Sequence, residues 1–140
     1  MKDSLKPGLT VEFQFKVPEN KTVPFLYPEF EEGHVMPKVF ATGFLLGLFE
    51  FTCIKALKAH LDWPNEQTVG IGMNMTHAAA TPPGMNITVK GKLDKMEGRK
   101  LTFKLEAFDD AEKISEATHE RYVIDAEKFN TAIGKKAAKA

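Results

Sequence analysis

The stretch 39–61, VFATGFLLGLFEFTCIKALKAHL, constrains this chain more than any other part of it. Its first half is apolar on nearly every side, and only Lys55, Lys58 and His60 give its last two turns a wet face. An ordinary surface helix has one apolar stripe and a polar back, so a helix like this one has to be wrapped by other structure. It should begin near Thr42 or Gly43 and end near Leu61, where Asp62-Trp63-Pro64-Asn65 stops it. One carboxylate, Glu50, stands in its middle. Taking an ionised carboxylate out of water costs far more than a helix position returns unless a partner stabilises it, so Glu50 needs a reason.

The wrapping material is readable as strands. Residues 10–17 alternate Val11, Phe13, Phe15 and Val17 with polar neighbours, the period of a strand with one buried face. Four more strand-like runs follow the helix at 68–77, 85–93, 100–109 and 115–124. They are separated by Thr81-Pro82-Pro83-Gly84, Glu97-Gly98-Arg99 and Asp109-Asp110-Ala111-Glu112, all turn-forming sequences. Short connections between neighbours imply antiparallel pairing. One strand, one buried helix and four strands give an α+β fold, a sheet of about five antiparallel strands curled around a central helix. At 140 residues the chain is one domain, 1–140. Residues 19–38 hold Pro24, Pro28 and Pro37 together with Phe25, Leu26, Tyr27 and Phe30, a long connection with apolar surface to bury and hence a lid. The alanine- and lysine-rich end, 126–140, reads as a partly helical tail, mobile over 131–140.

Composition narrows the function. Nineteen basic residues balance nineteen acidic ones, so the broad positive field of a nucleic-acid binder is missing. The single Cys53 sits in the helix, where a small thiol packs like a hydrophobe. The N-terminus lacks a secretory apolar core, and the longest apolar run is interrupted by Glu50 and short for a membrane span, so a soluble cytoplasmic protein is expected. No P-loop, dinucleotide fingerprint, G-x-S-x-G elbow or H-E-x-x-H occurs, and the four histidines and one cysteine lack zinc-site spacing. Neither a metal nor a nucleotide cofactor is indicated.

Candidate chemistry gathers around Glu50. Gly43 and Gly47 share its helix face and leave a groove for a slender ligand, or for close packing on the sheet. In the strand 68–77, Val69, Ile71, Met73, Met75 and His77 share one parity, which aims the imidazole at the helix. Glu50 and His77 are therefore expected to pair, the carboxylate fixing the ring for acid-base work. Thr42 is either the helix N-cap or a hydrogen-bonding group for the reacting atoms. Eight helical residues set it about 12 Å from Glu50 along the axis. Gly70 and Gly72 fall on the opposite parity, marking a bulge or a main-chain N–H offered to an oxyanion. Arg121 is either a sheet-face ion pair or a ligand contact.

Four segments, taken together, carry a resemblance. Val39-Phe40-Ala41-Thr42-Gly43-Phe44, Gly47-Leu48-Phe49-Glu50, Thr76-His77-Ala78-Ala79-Ala80-Thr81-Pro82-Pro83-Gly84 and Thr118-His119-Glu120-Arg121 resemble, in order, the fluoroacetyl-CoA thioesterase family of hot-dog-fold proteins. Tyr27-Pro28 and Glu127-Lys128-Phe129-Asn130 extend the likeness over most of the chain. The resemblance implies a hot-dog fold and a thioesterase of short-chain acyl-CoA, possessing a catalytic Thr42, Glu50 and His77, with coenzyme A as part of the substrate and no separate cofactor. It further implies that Gly70 lines the acyl pocket and that Arg121 matches a family arginine. Phe30 and Met36 of the lid, with Phe40 and Gly43, complete the expected substrate-binding set. The lid departs from the aromatic-rich pattern of the family member that discriminates fluoroacetyl groups, since Glu31-Glu32-Gly33-His34-Val35-Met36 keeps little of it beside Phe30. A non-catalytic acyl-CoA-binding module and an enoyl-thioester hydratase or dehydratase are the alternatives on the same fold. A homodimer with the acyl site near the subunit boundary is expected, because one small sheet around one helix leaves an edge and an apolar face to cover.

Overall fold

A computed structural model describes residues 1–140. Strand β1 (Thr10–Lys16) leads through three short 3-10 turns to helix α1 (Thr42–Leu57), which a further turn, Lys58–His60, extends. Strands β2 (Glu66–Met75), β3 (Asn86–Glu97), β4 (Lys100–Phe108) and β5 (Lys113–Asp125) follow, and helix α2 (Ala126–Ala137) ends the chain. All five strands form one antiparallel sheet in the order β1-β3-β4-β5-β2. This is the α+β architecture expected from the element order. The β3–β4 hairpin closes through Gly98 and Arg99, and Gly98 supplies the positive φ of 62° that such a tight turn demands.

The sheet curls because three bulges break its ladders, between Gly70 and Gly72, between Leu93 and Lys95, and between Ala107 and Phe108. Its concave face presents Val11, Ile87, Val89, Leu93, Leu101, Phe103, Leu105 and Val123 to the helix. Helix α1 answers with Leu45, Leu48, Phe49, Thr52, Cys53 and Leu57, a stripe at helical spacing. Burial pushes the Cys53 thiol up to about 12, which keeps it protonated and unreactive. On the far side of α1, Phe51 is exposed and Leu46 and Ile54 are only half-buried. One chain therefore leaves part of the helix less than fully wrapped.

Helix α2 is regular as far as Ala137, capped by Asp125, whose carboxylate accepts the Lys128 N–H. Position 131, where the tail was expected to become mobile, lies inside that helix.

Candidate functional site

The segment 19–38 is pinned at its base and open at its tip. Thr22 bridges Phe40, the Ala41 N–H donates to Lys21 O, the Val23 N–H donates to Val39 O, and Lys38 pairs with Glu19. Between these ties the tip exposes Phe25, Tyr27, Phe30, Val35 and Met36, with the Tyr27 and Phe30 rings stacked at 5.3 Å. Leu26 lies directly over the start of α1, where a Cβ on Gly43 would come within 3.0 Å of its Cδ1. Phe40 is placed in the core with its ring against Phe15.

At the helix start, Ala41 is the N-cap and no side chain caps the amides. The Thr42 hydroxyl, expected as a possible cap, bonds His77 Nδ1 at 2.7 Å instead. The first intrahelical bond runs from Leu45 N–H to Ala41 O. The N–H groups of Thr42, Gly43 and Phe44 are thus left for an acceptor, at the end of the helix where negative charge is favoured. His77 lies just beyond β2, and its Nε2 is buried without a hydrogen-bond partner. Desolvation holds the ring below its ordinary value of 6.5, so it is a neutral base at pH 7.

Glu50 does not pair with His77 inside one chain. Its Oε2 accepts from Arg121 Nη1 at 2.9 Å, and its side chain is about one-third exposed. The expectation failed on distance: His77 lies past the end of β2 at the start of α1, beside Thr42, and what β2 turns toward Glu50 instead is Gly70. Gly70 faces Arg121 across the ladder whereas Gly72 faces Glu120, so the residue between them, Ile71, takes up the slip and is exposed. Parity therefore reverses within β2: Thr68 and Gly70 face the helix before the bulge, and Met73 and Met75 after it. A Cβ on Gly70 would lie 2.5 Å from Glu50 Oε2, so glycine is what lets the carboxylate approach the sheet. Gly47, one turn earlier on α1, has open space where its side chain would be.

Arg121 is neither on a sheet surface nor free for a ligand. It is 2 % exposed, and its Nε donates to Thr68 Oγ1 at 2.8 Å and its Nη2 to Thr68 O at 2.9 Å. Its Nη1 donates to Glu50 and also to His119 Nε2 at 3.0 Å. In the sequence Thr68 carried no assigned role, and His119 stood only within the segment Thr118-His119-Glu120-Arg121. The available signal was parity, since His119 lies two residues before Arg121 on the same face of β5. No group of three or more His, Cys, Asp and Glu side chains is arranged to hold a metal ion. No helix is long and apolar enough to cross a membrane.

Two clusters result. One is a helix N-terminus with free amides, a hydroxyl and a neutral imidazole; the other, two turns along, is a carboxylate with one oxygen tied to a buried guanidinium and the other free. Together they offer an oxyanion site, a proton carrier and a nucleophile or base, the set that acyl transfer uses.

Comparison with known proteins leads to the same chemistry. The sequence model of the fluoroacetyl-CoA-specific thioesterase family matches residues 17–127. The fluoroacetyl-CoA thioesterase of Streptantibioticus cattleyicolor is 44% identical over 136 residues, 97% of this chain and 97% of that protein. The crystal structure of a mutant fluoroacetyl-CoA-specific thioesterase in complex with fluoroacetate and CoA is 44% identical, covers 89% of this chain and 99% of its own, and superposes with a TM-score of 0.86. A hot-dog-like protein of Thermanaerovibrio acidaminovorans, 17% identical, shares the fold over 93% of this chain and 91% of its own with a TM-score of 0.78.

Proposed function

The chain belongs to the fluoroacetyl-CoA-specific thioesterase family, and on that premise we propose how it works: it is an acyl-CoA thioesterase that hydrolyses a short-chain acyl-CoA to the free acid and CoA. The observation that carries the reading is Glu50, a half-open carboxylate on a mostly apolar helix, with Oε2 held by Arg121 and Oε1 making no hydrogen bond within the chain. Oε1 either attacks the thioester carbonyl, giving an anhydride that water then hydrolyses to the free acid and a regenerated Glu50, or takes a proton from the water that attacks directly. The amides of Thr42, Gly43 and Phe44, with the Thr42 hydroxyl, receive the developing oxyanion. The CoA thiolate leaves with little acid assistance, because an alkyl thiol has a pKa near about 8.5. Neutral His77 carries the proton, and CoA enters as part of the acyl-CoA substrate and leaves as product, with no further cofactor.

The reading also takes the enzyme to be a homodimer, acting in the cytoplasm where CoA thioesters are made. Within one chain about 12 Å of helix separates Thr42 from Glu50. A two-fold axis beside the exposed face of α1 sets a second helix antiparallel to the first and brings Glu50 of each copy toward the Thr42 and His77 of the other. Such an interface covers Phe51 and the free edge of β2, and the exposed tip of 19–38 closes over the acyl group.

Release of free thiol from a panel of acyl-CoAs tests the activity. Turnover is expected for short acyl groups, whereas binding without turnover would assign the chain to the non-catalytic module. Mixing two inactive variants, Glu50→Gln and His77→Ala, tests the shared site. Activity returns on mixing if each site draws Glu50 and His77 from different copies, and stays absent if one chain supplies both.

A further inference from the structure

Arg121 engages four of its five N–H groups, and the identity of each acceptor fixes the plane of its guanidinium. Three of those bonds go to Thr68 Oγ1, Thr68 O and His119 Nε2, on β2 and β5. The fourth aims Nη1 at Glu50 Oε2. His119 is itself fixed from behind: its Nδ1 lies 2.7 Å from Gly72 O. A carbonyl oxygen only accepts and a guanidinium only donates, so Nδ1 must carry the proton and Nε2 must be bare. The ring is therefore a neutral imidazole in a single tautomer, buried with 2 % of its surface exposed. Desolvation, its largest influence, and the Arg121 charge both hold it below its ordinary value of 6.5.

From this chain of bonds we infer that His119 is a positioning residue for the hydrolysis, acting through Arg121 to hold Glu50 Oε2 so that Oε1 alone faces the acyl carbonyl. The bulge carbonyl of Gly72 orients His119, His119 orients the guanidinium, and the guanidinium orients the carboxylate. Thr68 supports the opposite edge of Arg121. The inference rests on the thioesterase reading, and it assigns different roles to the two oxygens of Glu50. Without the His119 acceptor, one Nη1 hydrogen loses its partner in a dry site, and the guanidinium turns to recover one. Glu50 turns with it. Misplacement of a reacting group by about 1 Å is worth roughly 100-fold in rate, so a kcat loss of about 10- to 100-fold is expected from a partial rotation.

Two substitutions separate this role from a structural one. His119→Asn keeps a donor near the Nδ1 position for Gly72 O but offers Arg121 nothing. His119→Gln places an acceptor near the Nε2 position and gives up the bond to Gly72. Positioning predicts that Asn lowers kcat with KM little changed and that Gln recovers most of the loss. If His119 served only to tie β5 to the bulge, Asn would be the better replacement, and that ranking would overturn the inference. Thr68→Val removes a second Arg121 acceptor at nearly constant volume and should lower kcat in the same way; wild-type kcat in a folded Thr68→Val protein counts against the inference. Nitrogen chemical shifts of His119 at pH 7 give a readout that needs no turnover. A protonated Nδ1 with a bare, hydrogen-bonded Nε2 upholds the chain of bonds even if the wild type releases no thiol from any acyl-CoA, in which case the thioesterase reading alone fails. A proton on Nε2 overturns the positioning.

Discussion

Gly70→Ala puts one methyl group where the structure has least room for it. The added Cβ falls 2.5 Å from Glu50 Oε2 and 3.4 Å from Arg121 Nη1. Heavy atoms in comfortable contact lie about 3.5 Å apart, so the carboxylate has to retreat by about 1 Å while the guanidinium stays in place. Glu50 is the part that gives, because its carboxylate ends a flexible and partly exposed side chain whereas Arg121 is locked by Thr68 and His119. The 2.9 Å bond between them stretches toward the limit of about 3.5 Å beyond which it is not a hydrogen bond. One buried donor is left poorly satisfied, at a cost of about 1 to 3 kcal/mol, and the lower end is expected because water reaches Glu50. For a domain of this size a loss of about 1 kcal/mol lowers Tm by roughly 2 to 4 °C. The rate suffers far more, since a 1 Å displacement of the attacking group is worth about 100-fold. Thiol release followed beside a thermal melt separates the two effects. A Gly70→Ala protein that folds and turns over at the wild-type rate would refute the account of Glu50.

Glu50→Gln should keep the fold, because glutamine still offers Arg121 an acceptor, while turnover falls to background; a folded variant with wild-type thiol release would make Glu50 only the partner of a buried arginine. Alanine at Phe30 or Met36 should reorder the preferred acyl groups while sparing Tm, since both side chains are about half exposed on the tip of 19–38, and an unchanged ranking would remove that segment from the site. His77 and His119 are both held below 6.5 by burial, so the unfolded chain binds more protons than the fold as pH drops. Their contribution is complete above about pH 6.5 and is lost as pH falls from there through the depressed values. Urea melts between about pH 7 and pH 5 should show stability falling with acid, and His119→Gln should flatten that slope; an equal slope in both proteins would show that His119 does not titrate on unfolding.

Which parts of this molecule were legible in one dimension follows from the range of the forces involved. Alternation in 10–17, the helix-length apolar stretch and the turn residues near 81–84, 97–99 and 109–112 are local signals, so element order and strand ends come out within a few residues. Glu50 stood out for a similar reason, because a charge amid apolar neighbours is visible without knowing its partner. The partner was not legible. Parity counting through 68–77 assumes an unbroken strand, but the bulge at Ile71 puts Thr68 and Gly70 on the helix side along with Met73 and Met75, and β2 ends at Met75, which leaves His77 beyond it at the helix start beside Thr42. Whether glycines flanking a residue make a bulge depends on what approaches them from the other elements, and here that is Glu50 on one side and Glu120 on the other. Arg121 likewise reads only as a sheet-face ion pair or a ligand contact until the fold surrounds it with Thr68, His119 and Glu50 from three separate elements. Only the folded chain brings residues 50, 68 and 121 within hydrogen-bond range, because the directional bonds that choose a partner act over about 3 Å and sequence distance carries no information at that scale.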